Sequence, residues 1–149
     1  MTYAQNMKAQ IIADLNTLVP ATLNCVISDD FSKLNPLDRN FPGFPAALVI
    51  PPTVSTSEYE DTATNLREYT WFVMVVMRPE DLTSSTFLEG VMDAVLNVFD
   101  QDVTLKGASD GGVLPAVIEP PGPVSSGSVT YVVFYITLKA RTLVTAGTQ

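Results

Sequence analysis

Asn65-Leu66-Arg67-Glu68-Tyr69-Thr70-Trp71-Phe72-Val73-Met74-Val75-Val76-Met77 reads as a long β-strand, and its patterning decides the fold. Leu66, Glu68, Thr70, Phe72, Met74 and Val76 alternate with Arg67, Tyr69, Trp71, Val73, Val75 and Met77. Polar residues reach the faces only in the first half. In the second half both faces are apolar, which places it centrally in a sheet covered from two sides. A second strand of this kind runs from Ser128 to Leu143. There Val132, Phe134, Ile136, Leu138 and Ala140 share one face, and Tyr131, Val133, Tyr135, Thr137 and Lys139 the other.

Working outward, two amphipathic helices supply cover for such a sheet. The first is predicted over Tyr3 to Val19, with Tyr3, Met7, Ile11, Leu15 and Leu18 on one stripe and Pro20 ending it. Thr2 and Gln5 have the spacing of a capping box, in which each side chain takes a free backbone N–H. The second is predicted from Thr86 to Asp100, with Thr86 and Glu89 at the same spacing. Leu88, Val91, Met92, Val95, Leu96 and Phe99 line its apolar face, and Gly90 suggests a close approach to the sheet.

Shorter strands are expected at Leu23 to Ser28, at Ala46 to Ile50 between Pro45 and Pro51-Pro52, and at Val113 to Glu119, where Pro115 marks an edge. Asp29 to Gly43, Thr53 to Thr64 and Pro120 to Gly127 read as connections. The result is a single α+β domain over residues 1–149. It has a mainly antiparallel sheet, two helices packed on one face, and the order α-β-β-β-α-β-β.

Composition narrows the function. Eight Lys+Arg against 16 Asp+Glu give a net charge of −8, with the cations scattered along the chain. Affinity for phosphates and anionic lipids rests on clustered cations, so neither sequence-specific nucleic-acid binding nor membrane binding is expected. Charged residues make up 16% of the chain, against about 25% in an average protein, which points to surface covered by other protein. The N-terminus lacks a basic region leading into an apolar run, so a chain made in a cytoplasm and staying soluble is expected. Cys25, the single cysteine, reads as a buried apolar strand residue and excludes an internal disulfide.

The chain has no histidine, which removes the usual general base and the commonest transition-metal ligand. Gly107-Ala108-Ser109-Asp110-Gly111 matches the G-x-S-x-G of hydrolases, but that motif needs a preceding strand, a following helix and a histidine. It reads as a Gly-rich turn. Asp29-Asp30, Glu80-Asp81 and Asp100 with Asp102 read as solvated loop charge rather than cation ligands. No catalytic, metal or cofactor residue is assigned, and no enzyme activity is expected.

Tyr131 and Tyr135, with Tyr69 and Trp71, read as a buried or partner-covered sheet face. Asp29 to Pro45 carries Phe31, Leu34, Leu37, Phe41 and Phe44 without a regular period. Its phenylalanines either complete the chain's own core or dock on another subunit. Phe41, Phe44, Tyr131 and Tyr135 are accordingly the candidate interface residues.

The sequence of elements resembles a tail-terminator (tail-completion) protein of long-tailed bacteriophages. The resembling features are the helix from Tyr3 to Val19 and the Pro-rich loop leading into Ala46-Ala47-Leu48-Val49-Ile50. After these come the long strand from Arg67 to Arg78, the helix from Phe87 to Asp100, and the closing strand from Tyr131 to Leu143. The resemblance implies a subunit of a homo-oligomeric ring, typically a hexamer, that caps the tail tube and ends its polymerisation. It implies as partners the chain itself, the major tail tube protein, and a head-completion or neck protein. It places the protein in the virion at the head-proximal end of the tail, assembled in the host cytoplasm. Alternative readings are a head–tail connector or neck subunit, and a small ligand-binding or enzymatic domain with a cleft beside Trp71.

Overall fold

The computed structural model describes residues 2–19, 21–27, 43–59, 64–78, 85–109, 112–113, 116–118, 122–126 and 129–145. Two α-helices and a six-stranded mixed sheet give an α+β fold. The helices are α1 (Tyr3–Asn16) and α2 (Ser85–Asp100). The strands are β1 (Cys25–Ile27), β2 (Ala46–Tyr59), β3 (Thr64–Met77), β4 (Val117–Ile118), β5 (Gly122–Ser126) and β6 (Val129–Thr145). The order across the sheet is β1-β2-β3-β6-β4, with β5 also on β6. Only the β1–β2 pair is parallel.

β3 is central, as its two-sided apolar pattern requires. It pairs with β2 on one side and with β6 on the other, in unbroken register from Thr64↔Thr145 to Met77↔Val132. One face of the sheet presents Ala47, Val49, Tyr69, Trp71, Val73, Val75, Met77, Phe134, Ile136, Leu138 and Ala140 to both helices. Met7, Ile11 and Leu15 of α1 and Val91, Val95 and Phe99 of α2 close over them. Burying each such side chain is worth roughly 1.5–3 kcal/mol, which is what holds two short helices on the sheet.

The α1 capping box forms as expected. Gln5 N–H donates to Thr2 Oγ1 at 3.2 Å, and Thr2 N–H donates to Gln5 Oε1 at 2.9 Å. The helix stops at Asn16, short of Pro20, because the chain tightens first. The N–H groups of Thr17, Leu18 and Val19 bond three residues back, and Thr17 Oγ1 donates to Asp14 O at 2.6 Å. α2 begins at Ser85, so Thr86 lies inside it, and the residue before the helix is outside the described set. Gly90 faces solvent, with nothing within 4 Å of where a Cβ would stand. The expected close approach is absent because Val91 and Val95, not Gly90, point at the sheet.

The larger corrections concern the strands. β2 continues past Pro51-Pro52 to Tyr59, so most of the expected polar connection is a hairpin arm against β3. The register shifts between Ile50/Phe72 and Thr53/Thr70, a bulge that takes up the two prolines. Likewise β5 occupies part of the segment read as a loop and pairs with residues Val129 to Val133 of β6. The expected Val113 to Glu119 strand survives as a bridge from Val113 to Ala140 and the short β4, which does lie at an edge. Pro115 itself is outside the described residues.

Candidate functional site

The sheet's second face carries the surface the sequence marked for contact. At the Met77 end, Ile27, Ala46, Leu48, Val76, Tyr131 and Val133 form a second apolar cluster, with Cys25, Phe44 and Met74 against it. Phe44 stacks on Tyr131 with ring centroids 5.5 Å apart, and the Arg78 guanidinium lies 5.4 Å from the Phe44 ring centre. The chain enters this stack through Gly43. Its φ of +144° and the Asn24 amide 2.7 Å from any added Cβ leave room for glycine alone.

Of the four candidate contact residues, the structure therefore brings Phe44 and Tyr131 together within the chain's own fold. Tyr131 is buried and Phe44 half-buried. Tyr135 lies on the same face but is 37% exposed. Phe41 is outside the described residues.

Beyond this cluster the face opens. Ile50, Phe72, Thr137 and Val117 lie directly opposite one another across β2, β3, β6 and β4. The neighbouring row runs Leu48, Met74, Tyr135. Ile50, Phe72 and Met74 are half-buried, while Val117 is 59% exposed. Further along, the face turns polar at Thr53, Thr70 and Lys139, and Arg141 Nε sits 3.2 Å from Glu68 Oε2. Among the described residues no helix covers the band; α1 and α2 both pack on the other face. It is an apolar strip bounded by a packed cluster at one end and charges at the other.

Ser109 is not placed as a nucleophile. It is fully buried, and its hydroxyl lies 2.6 Å from Arg141 O and 3.0 Å from Gly112 O, so its proton is spent on carbonyls. The segment pins the turn after α2 to β6, assisted by Arg141 N–H donating to Gly112 O at 3.0 Å. Ser109→Ala is expected to cost about 1–3 kcal/mol in urea unfolding, because it strands buried carbonyls. The folded wild-type chain is expected to leave a fluorophosphonate probe unreacted at Ser109. Labelling there would overturn the structural role.

Trp71, beside which the ligand-binding alternative set a cleft, is 1% exposed and sits in the core under the helices. Tyr69 is buried beside it, with Arg67 Nη1 donating to its hydroxyl at 3.3 Å. Cys25 does lie in a strand but is half-buried rather than buried, its thiol 3.6 Å from Gly43 O.

One acidic contact escaped the sequence reading. Asp102 is not solvated loop charge paired with Asp100; it meets Asp14 of α1. Asp14 is buried, and Gln10 Nε2 donates both to Asp14 Oδ1 at 2.9 Å and to Asp102 Oδ2 at 3.3 Å. Burial first, then the contact with Asp102, raises the Asp14 carboxyl from the ordinary range to about 6. The one signal available was position. Asp14 falls three residues after Ile11 and four before Leu18, on the stripe meant for the core. Asp29-Asp30 and Glu80-Asp81 lie outside the described residues.

Among the described residues, no group of three or more Asp, Glu, Cys or His side chains gathers to hold a metal ion, and no helix is long and apolar enough to cross a membrane. No protein-family model matches the sequence, and no curated protein matches it.

Proposed function

We propose that this chain is a structural subunit of a bacteriophage tail, forming a homo-oligomeric ring that caps the tail tube and presents a surface for head joining. The observation that carries the reading is the apolar strip of Ile50, Phe72, Met74, Tyr135 and Val117 on the face opposite the helices. A strip of this kind, on a chain with few charges and no histidine, suits lasting contact with protein better than turnover of a substrate. The element order resembling tail terminators gives that contact its expected partners: further copies of the chain, the tube protein, and a head-completion or neck protein.

Purified chain mixed with tail tubes tests this directly. Electron microscopy is expected to show rings at one end of each tube, and light scattering a self-associated form at high concentration. A chain that stays monomeric at every concentration and leaves tube ends bare would overturn the proposal.

A further inference from the structure

α1 and the turn after α2 meet through two carboxyl groups that share one donor, Gln10 Nε2. Asp14 is 6% exposed, and its Oδ2 is buried with no hydrogen-bond donor among the described residues. The side chain it faces is Asp102, itself an acceptor. Two carboxylates facing each other in a buried site repel, and one proton between them turns that repulsion into a hydrogen bond.

The surroundings say which group holds the proton. Asp102 Oδ1 accepts the Lys106 backbone N–H at 2.8 Å, and Oδ2 accepts from Gln10, so each of its oxygens already has a donor. Asp14 has one donor, Gln10, and is removed from water. In the same turn Leu105 and Lys106 have φ of +48° and +49°, a left-handed conformation that non-glycine residues rarely adopt.

We infer that Asp14 and Asp102 form a proton-dependent latch, closed when Asp14 is protonated, that fastens α1 to the turn 101–109 and loosens as the proton leaves. Among the described residues, the charged groups around Asp14 are few. The turn contributes Asp102 and Lys106, the latter opposing the rise. α1 contributes the uncharged Gln10. α2 turns Glu89, Asp93 and Asp100 to solvent, and the β1 and β2 residues under the helix, 25–27 and 46–50, include no carboxylate or cation.

Because folding raises the Asp14 value to about 6, its stabilising contribution is fully present below about pH 4 and lost as pH rises through about 6. The closed latch therefore belongs to mildly acidic conditions.

Carbon-13 titration of the aspartate carboxyls in the folded chain decides the point. Asp14 is expected to titrate near pH 6; Asp14 titrating near the ordinary value of about 4 would overturn the latch. Hydrogen exchange gives the second readout. The opening constant of α1 amides, corrected for intrinsic rate, is expected to rise at least about tenfold between pH 5 and 7.5, one pKa unit corresponding to a factor of ten. Asp14→Asn keeps a donor toward Asp102 and cannot titrate, so its opening constant is expected to stay flat. An equal rise in wild type and Asp14→Asn would overturn the inference. If Asp14→Asn does not fold, the carboxyl titration alone decides.

Discussion

Replacing Trp71 with alanine is expected to cost about 3–5 kcal/mol of folding stability. Trp71 occupies the middle of the central strand, opposite Leu138, on the face closed by both helices. Its removal leaves a cavity bordered by elements that pair along their whole length and have little freedom to collapse. The indole brings one liability, since Nε1 is buried without a partner among the described residues. Trp71→Phe removes that orphan donor while keeping most of the ring. It is therefore expected to cost far less than alanine, the relief of an unmet N–H offsetting part of the lost volume. Urea unfolding followed by circular dichroism measures both. A Trp71→Ala loss below about 1 kcal/mol would mean that the ring is not packed as described.

The second large effect is expected on assembly rather than on folding. Tyr135 and Val117 are 37% and 59% exposed on the uncovered strip. Changing both to glutamate is expected to leave the isolated chain's unfolding free energy within about 0.5 kcal/mol per site. Yet if each buries its remaining exposed surface against a partner, the pair forfeits about 1.5–3 kcal/mol of association. That loss is at least about tenfold in affinity, with charge burial adding to it. Sedimentation velocity and tube-end occupancy are the measurements. A double variant that caps tubes like wild type would remove this strip from the interface. Phe44 and Tyr131 provide the contrast, because they pack within the subunit and changes there act first on its own stability.

The parts of the fold that were legible in the sequence are those buried by a regular period. β3 and β6 alternate because each face meets a different environment, and α1 announces itself through both its stripe and its cap. The outer half of β2 left no such trace. Thr53 to Thr56 are exposed or half-buried, so no face there demands apolar residues, and the bulge at Pro51-Pro52 resets the alternation midway. β5 was hidden by Pro123 and serines that read as loop. Asp14 and Asp102 are far apart in sequence, and only the misplaced polarity of Asp14 on a core stripe hinted at the contact. Of the candidate contact residues, sequence alone could not divide Tyr131 from Tyr135. They share a face, and what separates them is how far Phe44 reaches along it.

The two prolines in β2 also bear on how this chain avoids sticking to itself in the wrong way. A strand offers amide hydrogens alternately to its two sides, and proline has none. Pro51-Pro52 therefore removes two successive donors from β2, at the bulge and beside the outer margin of the strand. β1 pairs with that margin only at Ala46 to Leu48. A stray extended peptide reaching β2 beyond this point meets a gap in the ladder before it has made a few bonds. Such gaps guard against the open-ended strand addition that leads to fibrils. A chain that assembles with its own copies, as proposed for this one, can thus reserve self-contact for side-chain surfaces and keep its backbone from becoming a template.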